Sequence, residues 1–148
     1  MKARFVTKAA LSALALAFAG TLPGVAQQTA APAVDSVKAS AVEKVFIVKM
    51  ADIVQAGLKA GALDVKAVSG VLNEAVKADV SDRVMGAMVS MAAGAFPSSA
   101  PAVASAAVRS YGSNIREGHV RNVIASAVSS QSNPYASVAP ISEAVEKV

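Results

Sequence analysis

Asp64–Lys77 reads DVKAVSGVLNEAVK, and this stretch decides the fold class. Val68, Val71, Leu72, Ala75 and Val76 recur at i, i+3, i+4, i+7 and i+8, the spacing of one helix face, while Lys66, Asn73, Glu74 and Lys77 fall on the opposite side. Asp64 stands where an N-cap is needed, because its carboxylate can accept one of the free N–H groups of a first turn.

The same grammar extends in both directions. Upstream, the spacing predicts a helix from Val37 to about Leu58, roughly 33 Å long at 1.5 Å per residue. Asp35 or Ser36 would cap it, and Gly57 and Gly61 would loosen its end. Its middle, Val45-Phe46-Ile47-Val48, is apolar around most of the circumference, which predicts a central helix covered on more than one side. A strand reading of those four residues lacks a second strand of comparable quality. Downstream, Ser81 caps a third helix with Asp82 in its first turn. That helix ends before Pro97 with Phe96 turned inward.

Ser98-Ser99-Ala100-Pro101 predicts a cap and an early proline, so a fourth helix spans Pro101 to Ser110 and stops at Gly112. Asn114 and Glu117 have the spacing of a capping-box variant ahead of a fifth helix, whose inner face is Val120, Val123, Ile124, Ala127 and Val128. Asn133-Pro134 turns the chain, and Ala139-Pro140 restarts it into a last short stripe of Ile141, Ala144, Val145 and Val148. The expectation is an all-α domain, a compact bundle or a short solenoid-like stack of about five to six helices.

Stacking the helix centres shows VLNEAV at Val71, VMGAMV at Val84, VASAAV at Val103, VIASAV at Val123 and PISEAV at Pro140. Divergent repeats of one helical unit would give such a series. So would any set of amphipathic helices built from Ala and Val.

The first 26 residues read differently. Lys2, Arg4 and Lys8 precede an apolar stretch from Ala9 to Gly20, and Pro23-Gly24-Val25-Ala26 supplies a break and small residues for cleavage after Ala26. The apolar run is shorter than the roughly 20 residues a membrane-crossing helix needs. Residues 1–26 are therefore expected to be a signal peptide, 27–35 a flexible spacer and 36–148 a single helical domain of an exported protein, periplasmic or secreted, with no transmembrane segment in the mature chain.

Charge and composition narrow the function. Three of the 14 basic residues and none of the ten acidic ones lie before residue 27, which leaves a net charge of +1 and not the footprint of a nucleic-acid binder. The chain has no cysteine, so helix packing alone must stabilise it. Without tryptophan it cannot build a broad aromatic binding floor.

Met85, Met88 and Met91 are spaced three apart and share one surface of the third helix. Such a row fills a core, lines an adaptable groove, or offers thioethers to Cu(I). The densest polar stretch, RSYGSNIREGHVR from Arg109 to Arg121, contains Arg109, Tyr111, Arg116, Glu117, His119 and Arg121. Arginines beside a helix start can hold a carboxylate or phosphate, so this stretch is the candidate for a partner or anion. As a solvated loop, it would leave His119 exposed.

Asp79 with Asp82 and Glu143 with Glu146 are paired carboxylates outside apolar stretches, and structural or solvent roles are expected of them. A single histidine and the lack of a nucleophile elbow, a phosphate loop or zinc-ligand spacing leave no catalytic signature and no implied cofactor. The leading expectation is a non-catalytic binding or scaffolding module for a protein or other envelope component. The alternatives are a carrier of an apolar ligand or soft metal, or an enzyme using Arg116, Glu117 and His119.

Overall fold

A computed structural model describes residues 39–148, and within them every regular element is helical. The proposed leader and spacer lie outside the described residues. The elements are α1 (Ala41–Ala60), α2 (Val65–Lys77), α3 (Asp82–Ala95), α4 (Ala100–Tyr111), α5 (Glu117–Ser129) and α6 (Pro134–Glu146), with short 3₁₀ turns at Pro97–Ser99 and Gly112–Asn114.

The helices zigzag between two layers. α1, α3 and α5 lie side by side in one, α2, α4 and α6 in the other, and the most extensive contacts join α2 to α4 and α3 to α5. Each helix packs mainly on its next and next-but-one neighbours in sequence. This is the arrangement of a short solenoid-like stack.

The caps explain where elements start. Ser40 opens α1 with a capping box: its hydroxyl accepts the Glu43 N–H at 3.2 Å, and Glu43 Oε2 accepts the Ser40 N–H at 2.8 Å. Helix one thus begins at Ala41, not at the expected Val37, because Ser40 rather than Asp35 or Ser36 satisfies the first turn. Glu43 Oε1 also accepts the Ser81 hydroxyl and the Ser81 N–H, which joins the starts of α1 and α3. These hydrogen bonds, led by the Ser81 hydroxyl, hold the Glu43 carboxyl at about 2, below its ordinary 4.5.

Asp64 accepts the Ala67 N–H as the sequence predicts, and Val68, Val71, Leu72 and Ala75 are buried. α2 closes on a Schellman motif, with Val80 N–H on Ala75 C=O and Asp79 N–H on Val76 C=O, and Asp79 takes the left-handed position usually given to glycine.

α1 ends at Ala60, close to the expected Leu58, with Gly61 closing it in the left-handed conformation, and the buried Gly57 leaves room for the Phe96 ring, 2.9 Å from where a Cβ would sit. Two expectations fail. α1 is not the central helix. Phe46 and Ile47 turn inward, but Val45 and Val48 are 52% and 58% exposed, because no helix precedes α1 among the described residues to cover that side. The central position belongs to α4, which touches α2, α3, α5 and α6 and buries eight residues.

The last helix does not restart at Pro140. α6 is continuous from Pro134, capped by Asn133 on the Ala136 N–H, with Pro140 inside it. Pro140 cannot donate to the carbonyl of Ala136, but both residues are exposed, so water can satisfy that oxygen.

The core fills the space between layers with small and flexible side chains. Met50, Leu72, Met85, Met88, Val103, Val123 and Ile141 are almost fully buried. Gln131, also buried, uses its amide to donate to Ala93 C=O at 3.0 Å and Ala127 C=O at 3.1 Å, which fastens the end of α5 to the end of α3. None of the helices in the described residues is long and apolar enough to cross a membrane.

Candidate functional site

α5 starts after Arg116 and carries Glu117, His119 and Arg121, and its two long sides differ. Facing α3 are His119, Asn122 and Ser126. Gly86 of α3 lets the helices approach so closely that a Cβ there would sit 2.7 Å from Ser126 Oγ. Asn122 donates to the Asp82 backbone C=O at 2.7 Å.

His119 stacks on Tyr111, with ring centroids 4.1 Å apart and planes 12° from parallel. Its side chain is 16% exposed, so the expectation of an exposed histidine is corrected: the aromatic ring that ends α4 covers it. Arg116, not Asn114, is the N-cap of α5, and its N–H donates to His119 Nδ1 at 3.2 Å. This hydrogen bond assigns the remaining proton of the neutral ring to Nε2, which lies 3.6 Å from Asp82 Oδ1. Tyr111 donates to the same Asp82 oxygen at 3.1 Å. Burial, the Asp82 charge and that bond push the Tyr111 hydroxyl well above its ordinary value, so it remains a donor.

The cluster borders a polar depression of about 510 Å³ that Asp79, Ser113, Asn114 and Arg116 complete. Nothing in the sequence spacing signals that Asp82 joins Tyr111 and His119, since the residues are 29 and 37 positions apart.

The other side of α5 is apolar and open. Val120, Ile124 and Val128 are partly buried and, with Ala125 and Val138 of α6, line a depression of about 400 Å³ rimmed by Glu117 and Arg121. Val120 is shared with a second depression of about 490 Å³, lined by Val108, Ile115, Val145 and Val148 with Arg109 and Glu146. The two depressions meet at Val120, and this pair is termed the groove along α5 and α6.

The polar residues of the Arg109–Arg121 stretch are thus divided. Tyr111, Arg116 and His119 converge at the polar depression. Arg109 lines one half of the groove. Glu117 and Arg121 pair with each other across one turn at the rim of the other half. The three arginines line three different depressions.

Met85, Met88 and Met91 are buried in the core with Met50. Among the described residues no three His, Asp or Glu side chains come together as a metal-binding group. Comparisons with protein-family models, with curated proteins and with solved structures found no match to this chain.

Proposed function

We propose that this chain is an exported, non-catalytic binding or scaffolding protein whose docking surface is the apolar groove along α5 and α6, and that the groove takes an amphipathic helix of a protein partner. The observation that carries this is the inversion of α5. Its polar Asn122 and Ser126 are packed against α3, while Val120, Ile124 and Val128 line an open groove.

In this two-layer stack, α3 and α5 each rest on the preceding helix of their layer and on α4 of the other. The α5/α6 groove is the next such seat. A helix presenting apolar residues at i, i+3 or i+4 and i+7 fits it by the packing that already holds the stack together.

The non-catalytic part of the reading draws on His119. Nδ1 already accepts the Arg116 N–H and Nε2 faces Asp82, so no ring lone pair is turned toward a reacting group. Export draws on the leader sequence, and recovery from cells of a chain that begins at Gln27 is the expected result.

Photocrosslinking in cells tests the binding surface. A benzophenone side chain at Val138 in the groove is expected to capture a protein, and one at Lys66, on the polar side of α2, is not. Equal capture at both positions, or none at Val138, rejects the reading.

A further inference from the structure

We infer that the occupant of the α5/α6 groove is α1 of a second copy of this chain, docked head to tail so that the two-layer stack continues from one molecule into the next. This rests on the proposed binding role of the groove.

Within one molecule, α3 sits against α1 and α5 sits against α3, so the α1–α3–α5 layer grows by placing each helix beside the last. α5 has an apolar free side and no successor in its layer among the described residues. α1 is the one member of the layer without a predecessor among the described residues. Its side turned away from α3 carries the exposed Val42, Val45 and Val48, at the three-residue spacing the groove would accept. An apolar end of a stack and an apolar groove at its other end are the two halves of a heterologous contact, which propagates instead of closing.

Charge agrees with the placement. α1 and α2 together carry five lysines and three acidic residues, whereas α5 and α6 together carry one arginine and three glutamates. Bringing the first pair of helices onto the second sets a slightly basic surface on an acidic one.

Sedimentation of the purified protein over a wide concentration range tests the inference. The expected result is a mean mass that rises with concentration and does not stop at two chains. Val45→Glu blocks the α1 side and Val138→Glu blocks the groove. Both positions are exposed, and circular dichroism checks that each variant keeps its helices. Each variant alone is expected to sediment as one chain, with self-association weakened at least tenfold. An equimolar mixture of the two is expected to form a complex of one copy of each, through the α1 face and the groove that remain intact.

If either variant alone still associates like the parent, the contact is not head to tail. If the mixture forms no two-chain complex, or the parent is a single chain at every concentration, the inference is overturned. Should a groove variant lose helix content, Val138→Ser replaces it under the same criteria. Capture of a different protein at Val138 by a parent that does not self-associate would leave the groove's binding role standing and reject only the identity of the occupant, whereas no capture and no association reject both.

Discussion

The two sides of α5 present opposite solutions to the same problem. Toward α3, polar side chains are enclosed with partners: Asn122 on the Asp82 carbonyl, Gln131 just past the helix end on the Ala93 carbonyl, and His119 beneath Tyr111. Toward α6 and beyond, Val120, Ile124 and Val128 remain partly exposed along a groove without a partner. The closed side therefore belongs to the stability of the molecule, and the open side is the one proposed to meet a partner. Side-chain polarity alone would have assigned them the other way round.

The division predicts where substitutions disrupt folding. The largest effect is expected inside the layers. Met88→Ala removes a fully buried side chain and is expected to lower unfolding free energy by about 2–5 kcal/mol, measured by chemical denaturation. Met88→Leu preserves volume and is expected to cost under about 1.5 kcal/mol. A stability unchanged by Met88→Ala would mean the core is not packed as described.

Gly86→Val is next, at about 1–3 kcal/mol, because its Cβ meets Ser126 and Asn122 at 2.7–3.2 Å in a seam with no room. Combining it with Ser126→Ala is expected to recover part of the loss, and strict additivity would show that the two side chains do not compete for the same space. Gln131→Ala, at about 1–3 kcal/mol, leaves a gap and removes a shared donor at the buried end of the same seam.

The sequence made the helices legible and their company much less so. Asp64 and Asn133 mark helix starts because capping depends on residues within one turn, whereas Ser81 stands at the start of α3 but gives its hydroxyl to Glu43 and makes no capping bond. The stripe Val120–Val123–Ile124–Ala127–Val128 was readable as one apolar face, yet only Val123 and Ala127 are fully buried, since a stripe states what a helix can cover and not whether a neighbour arrives.

Val45–Val48 shows the same limit: circumferential apolarity implies neighbours on both sides, and among the described residues α1 has them on one. Pro140 reads as a helix boundary because its missing N–H normally ends a helix, but on an exposed side the freed carbonyl can be hydrated. Asp82 and Gln131 entered the description only with tertiary structure, because their partners are tens of residues away.

A smaller effect separates the start of the stack from the groove. The Glu43 carboxyl, held at about 2 against an ordinary 4.5, contributes stability that is fully present above pH 4.5 and is lost as pH falls through 2. Protonation must break its acceptance of the Ser40 and Ser81 donors. Denaturation measured between pH 6 and pH 2 is expected to show this decline in the parent and a shallower one in Glu43→Gln. An equal slope in both would mean that other carboxyls dominate acid unfolding and that the α1–α3 link is marginal.

The smallest expected effect is the most informative about the open side. Val138 is 45% exposed, so Val138→Ser removes little buried area and is expected to change the unfolding free energy of the single chain by less than about 0.5 kcal/mol. Measured at a concentration where the protein is dissociated, that near-zero value would show that the fold does not need an apolar residue there. Measured where partners are bound, the same substitution is expected to lower apparent stability, because a ligand that binds only the folded chain adds its own free energy to folding. A loss of 2 kcal/mol or more in the dissociated chain would instead make Val138 part of the core, and the difference between the two sides of α5 would disappear.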